Sequence, residues 1–133
     1  MNKELIINST PAGVEIALLE DKLLVELNKE KVNKEFSVGD IYLGKVKKIM
    51  PGLNAAFVDV GYEKDAFLHY LDLGPQVQSL IKYSRLAQSG PEAKLTIGDV
   101  NMEEDIQKTG RINQVLKPNQ SILVQIAKEP IST

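Results

Sequence analysis

One short alternation constrains this chain more than any other feature. Side chains along a β-strand point to opposite faces in turn. In Ala55-Ala56-Phe57-Val58-Asp59-Val60, the residues Ala56, Val58 and Val60 fall on one face, and Ala55, Phe57 and Asp59 on the other. The first face is small and apolar throughout, so it faces a core. Phe57 is then sent outward beside a carboxylate. Ala66-Phe67-Leu68-His69 repeats the pattern: Ala66 and Leu68 share one face, Phe67 and His69 the other. If these two strands are antiparallel neighbours, Phe57, Phe67 and His69 lie together on the outside of the sheet.

The rest of the chain reads as mostly β. Residues 4–8, 14–19 and 22–27 are apolar runs separated by turn residues, which predicts a hairpin or three-stranded meander. Residues 28–37 are rich in Lys and Glu and read as a linker. Ile41 to Met50 is a long strand, and Pro51-Gly52 turns it into the strand of residues 54–60. Residues 71–117 are irregular, punctuated by Gly74-Pro75, Ser89-Gly90-Pro91, Gly98 and Gly110. Within them 76–88 reads as a helix with Val77, Leu80, Ile81 and Leu86 on one side. A second short helix is predicted to start at Asp105 or Ile112 and end at Leu116. A connection this long is usually functional or mobile. Residues 120–128 return to strand, with Ile122, Val124 and Ile126 alternating.

Composition narrows the chemistry. With 133 residues the chain can bury a core without staples. No cysteine is present, so disulfides and thiolate chemistry are excluded, and a reducing, cytoplasmic setting is expected. A single histidine excludes a multi-His metal cluster. The apolar runs are too short to span a membrane, and Met1-Asn2-Lys3-Glu4 leads into no secretory h-region. The net charge of −2 rules out a broadly basic nucleic-acid binder. Charge and aromatics are unevenly placed, however. Residues 1–40 carry a net −3 (five Lys, eight acids), and residues 41–70 a net +1 (four Lys, three acids). Five of the seven aromatics, Tyr42, Phe57, Tyr62, Phe67 and Tyr70, lie in that second stretch, so it is where function is sought.

Paired outward aromatics beside Lys45, Lys47 and Lys48 have the makings of a stacking platform for single-stranded nucleic acid. Bases stack on rings for about 1–3 kcal/mol each, while lysines attract phosphate. A plainer reading stands beside it. A bulge or a doubly buried strand would turn Phe57 inward. A lone histidine on such a strand is more often a cap, and an edge of lysines can simply resist aggregation. Glu15, Glu20, Asp21, Glu26 and the triplet Glu103-Glu104-Asp105 fit a polar outer face and a helix N-terminus better than acid/base catalysis. Gly39, Gly44, Gly52 and Gly61 are isolated, so there is no phosphate-cradling loop.

The run Val38-Gly39-Asp40-Ile41-Tyr42-Leu43-Gly44-Lys45-Val46, then Ile49, Pro51, Leu53, Ala55 to Gly61 and Ala66-Phe67-Leu68-His69 resembles an S1-type RNA-binding OB-fold domain. More narrowly, it resembles the version near the N-terminus of bacterial RNase E/G endoribonucleases. Ile122 to Glu129 is similar to that domain's fourth strand. Leu5 to Asn8 and Val14 to Leu18 resemble the family's opening strands, part of an RNase-H-like region.

The fold the resemblance implies is an S1-type OB barrel over residues 37–133, with a partly helical insertion at about 72–117 and the fifth strand truncated. A small β appendage over residues 1–36 precedes it. Phe57 and Phe67 match the family's two exposed RNA-packing aromatics. Lys45 sits in the matching strand and Lys47 beside it. His69 falls where the broader domain family often has a histidine, and Tyr42 completes the candidate set. The implied partner is single-stranded RNA, within a larger parent enzyme that can form homo-oligomers. The family's magnesium-binding aspartates lie beyond Thr133. The expectation is therefore no cofactor within this chain, Mg2+ in the full-length enzyme, and no cleavage by this chain alone. Two rivals remain open: an RNA-binding module of translation or transcription machinery, and a protein-interaction β-barrel.

Overall fold

The computed structural model describes residues 1–32, 36–90, 96, 98 and 100–131. It divides into two units, Met1–Phe36 and Ser37–Thr133.

The first unit is an antiparallel meander in the order β1 (Lys3–Thr10), β2 (Gly13–Glu20), β3 (Leu23–Lys31). Asp21 and Lys22 both take positive φ (48° and 66°). A two-residue loop with both residues left-handed matches the twist of a tight hairpin. The expected linker over residues 28–37 is in part strand. Glu30 pairs with Val14 and Lys29 with Glu15, whose carboxylate is 3.6 Å from the Lys29 ammonium. Charge alone suggested a linker, but alternating charges are also what a solvent-facing edge strand carries. Residues 33–35 of that stretch, and 91–95, 97 and 99 of the long connection, lie outside the described residues.

The second unit is a four-stranded antiparallel sheet of β4 (Ile41–Met50), β5 (Ala55–Asp59), β6 (Ala66–His69) and β7 (Ser121–Gln125), ordered β6-β5-β4-β7 and curled into half a barrel. Its inner face is the core: Val46, Ala56, Val58 and Ile122 are essentially without solvent contact, joined by Ile112 and Leu116 from the long connection. Gly44 permits the tight curl, since a β-carbon there would lie 2.6 Å from Val58 Cγ1 and 3.2 Å from the Asp59 carbonyl.

Two helices pack against this sheet, α1 (Val77–Ala87) and the single turn α2 (Ile112–Val115). Helix α1 is rotated from the expected stripe. Val77, Ser79, Ile81 and Ser84 are buried, while Leu80 and Leu86 are exposed. Ser79 explains the rotation: its hydroxyl accepts from the Glu103 amide at 2.8 Å, drawing that side of the helix under the connection. Glu103 starts no helix, contrary to the sequence expectation. It lies outside any helix or strand and pairs with Lys82 at 3.0 Å. The Ile106 amide donates to the Pro75 carbonyl at 2.9 Å, and the Tyr70 hydroxyl donates to the Gln107 carbonyl. The described part of the connection is thus fastened along its length.

Candidate nucleic-acid interface

Strand register brings the aromatics together. Phe57 pairs with Phe67 across β5 and β6, and their rings meet edge to face with centroids 5.8 Å apart and planes at 68°. Such a pair contributes roughly 0.5–1.5 kcal/mol beyond its buried area. The ring that offers its edge keeps both its faces out of the pair. Phe67 is 55% exposed, and Phe57 is half-buried. Neither ring is in the core.

A bulge in β4 brings the cations to the same place. Val46 pairs with Val58 and Lys48 with Phe57, leaving Lys47 without a partner residue. Strict alternation would have turned Lys48 inward with Val46. The extra residue resets the parity, and both Lys47 and Lys48 are exposed. Lys48 is thus the direct cross-strand neighbour of Phe57. The sequence reading kept it only as one of three clustered lysines; the signal was the Lys47-Lys48 doublet interrupting a period-two strand. Lys45 lies on the same face, opposite Asp59. Asp59 accepts from the Gly61 amide at 2.9 Å. Among the described residues, none of these three lysines forms a salt bridge.

The other two candidates are placed differently. His69 shares the face of Phe67 and sits across from Ala55. Its ring is committed, because Nδ1 accepts from the Leu71 amide at 3.1 Å while its own amide donates to Asp72 at 3.0 Å. It caps the 3-10 turn Tyr70–Asp72. Tyr42 pairs with Val124 and lies on the opposite face of β4 from Lys45. Its hydroxyl donates to Asp40 at 3.2 Å. Partial desolvation, then the hydrogen bond and negative charge of Asp40, push its phenol above the usual value. Tyr42 is not brought to the aromatic pair.

The start of β5 is held from below. Asn54, left-handed at φ 50°, donates from its side-chain amide to the Gly110 carbonyl at 3.2 Å and accepts from the Ile112 amide at 2.7 Å. Its carbonyl takes the Tyr70 amide at 2.8 Å. One side chain therefore ties the strands carrying the rings to the buried α2 segment. Among the described residues no group of three or more His, Cys, Asp or Glu side chains is placed to hold a metal ion. Among them, too, no helix is long and apolar enough to cross a membrane.

The second unit thus carries an outward aromatic pair beside three lysines on a curled antiparallel sheet. Comparison with known proteins gives the lineage. No family model matches. Ribonuclease G of Escherichia coli is 32% identical over 134 residues, covering all of this chain and 23% of the relative. Ribonuclease G of Haemophilus influenzae is 35% identical over 130 residues, with 98% and 23% covered. Ribonuclease E of Synechocystis is 37% identical over 94 residues, covering 70% of this chain and 10% of the relative. The chain belongs to the ribonuclease E/G family and spans about a quarter of the length of the ribonuclease G relatives it matches.

Proposed function

We propose that the outer face of β6, β5 and β4 is a platform for single-stranded RNA, and that this chain is the substrate-capturing part of an RNase E/G-like endoribonuclease acting in cytoplasmic RNA processing and decay. In this reading residues 37–133 are the S1-type OB-fold domain and residues 1–36 belong to an RNase-H-like region. Cleavage, with its magnesium, resides elsewhere in the full-length enzyme. The observation that carries the reading is the register that sets Phe57 between Phe67 and Lys48. Bases stack on the rings, and Lys45, Lys47 and Lys48 meet the backbone phosphates.

Equilibrium binding of a fluorescent single-stranded RNA tests this. Phe57→Ala should weaken binding by about 1–3 kcal/mol, the value of one stacked base. Unchanged affinity would remove the platform. Given the net charge of −2, the salt dependence should be shallow, set by a few phosphate contacts. A second reading, a protein-contact surface, is favoured by exposed Ile41, Leu43 and Leu123, of which Leu43 and Leu123 are cross-strand neighbours. Short RNA that failed to displace a bound protein partner would support it.

A further inference from the structure

The proposed platform borders a second feature. On the far side of β4 from β5, Lys45 pairs with Ser121 of β7. Ser121 also lines an open groove of about 390 Å³, together with Ile81, Arg85, Gln88, Ser89 and Gln120. Helix α1 supplies Ile81 and Arg85, four residues apart on one side of the helix, and its C-cap Gln88 follows three residues on. Ile81 is buried, and Arg85 and Gln88 are exposed.

Donors predominate among the groove's polar groups, although the Gln88 side-chain amide donates to the Ser84 carbonyl at 3.0 Å and so presents its oxygen as an acceptor. Among the described residues, Arg85 makes no hydrogen bond or salt bridge, whereas the helix's other cation, Lys82, is held by Glu103 at 3.0 Å and the Asn101 carbonyl at 3.1 Å. The side-chain oxygen of Gln120 already accepts from the Lys117 amide at 3.0 Å, which leaves its amide nitrogen as a donor. Ser121 adds a hydroxyl. No carboxylate is among the lining residues. A guanidinium fork with an amide and a hydroxyl beside it is a donor set suited to a phosphodiester.

Spacing links the groove to the rings. From β6 to β7 is three strand spacings, roughly 14 Å at 4.7–4.9 Å each. That fits within the roughly 4–16 nucleotides an OB fold covers. We infer that the groove is a phosphate-binding extension of the platform: a strand stacked on Phe57 and Phe67 crosses β4 past Lys48 and Lys45, and Arg85 holds one of its later backbone phosphates. The inference rests on the RNA-platform reading.

The test is binding of a single-stranded RNA dinucleotide and octanucleotide over a range of salt. The proteins are the full chain, Arg85→Gln, Phe57→Ala and, as a control for net charge, Lys22→Gln in the β2–β3 turn of the other unit. Arg85 is exposed, so its replacement leaves the fold intact, which circular dichroism checks. The expected result is a three- to tenfold loss for Arg85→Gln on the octanucleotide and none on the dinucleotide. The salt slope should fall by about 0.7, the value of one single-strand phosphate contact. Phe57→Ala should weaken both lengths and leave the slope alone. If Phe57→Ala loses affinity while Arg85→Gln behaves as the parent, the groove is off the path and the platform stands. If Lys22→Gln loses as much as Arg85→Gln, Arg85 acts only as general charge and the inference fails. If the parent binds neither length, the platform and its extension fall together.

Discussion

The two units solve the same hydrogen-bonding problem and differ in everything else. Both are antiparallel sheets. Yet every fully buried apolar residue described lies in the second unit, between Val46 and Ile122, and none in the first. In the first unit Leu5 pairs with Leu18 and Ile7 with Ile16 on one face, while Ile6 and Ala17, and Ala17 and Leu27, meet on the other. A sheet apolar on both faces has the pattern of one covered on both faces. Here Leu23 is 70% exposed and Leu5 62%. Ladder pairing alone does not make a core; the second unit gains one because its sheet curls and the long connection returns Ile112 and Leu116 beneath it.

The largest expected contrast is between buried and exposed leucines and isoleucines in the two units. Ile112→Ala, at no solvent exposure, should cost about 2–5 kcal/mol in urea unfolding. Leu23→Ala should stay within about 0.5 kcal/mol. Equal costs would mean that the first unit has a core of its own. Next comes the close approach that fastens the connection. A β-carbon at Gly110 would collide with the Tyr70 hydroxyl oxygen. Gly110→Ala should therefore destabilise the second unit by about 1–3 kcal/mol through overpacking. Hydrogen exchange should show the same division at lower amplitude, with amides of β1 to β3 opening more readily than those of β4 and β5. Uniform protection across both sheets would contradict it.

The smallest effect is at Tyr42. Its phenol is raised in the folded state, so the stability it lends is present below the ordinary phenol value of about 10 and is lost as pH rises through the raised value. Ultraviolet titration should find the Tyr42 phenol, assigned with Tyr42→Phe, ionising above that ordinary value. Asp40→Asn should bring it back towards the ordinary value, since the hydrogen bond and charge of Asp40 contribute to the shift after desolvation. No change on that substitution would leave burial as the sole cause.

Much of this arrangement was legible in the sequence. The alternation at residues 54–60 and 66–69 put Phe57 and Phe67 on one outer face because both strands are short, regular and uniformly small on the inside. What escaped was set by events that periodicity does not encode. The β4 bulge moves Lys48 beside Phe57. Tyr42 was grouped with the aromatics by position along the chain, although its parity in β4 opposes that of Lys45. The rotation of α1 depends on Ser79 meeting Glu103, a contact between residues 24 apart in sequence.

The central claim is that the outer face carrying Phe57 and Phe67 receives RNA. The most direct measurement is an NMR titration of this chain with a short single-stranded RNA, in the parent and in Phe57→Ala. The account predicts shifts clustered at Phe57, Phe67, Lys45 and Lys48, with Tyr42 on the opposite face undisturbed, and loss of the cluster in the variant. Shifts absent at millimolar RNA, or centred on the face of Tyr42, would contradict it.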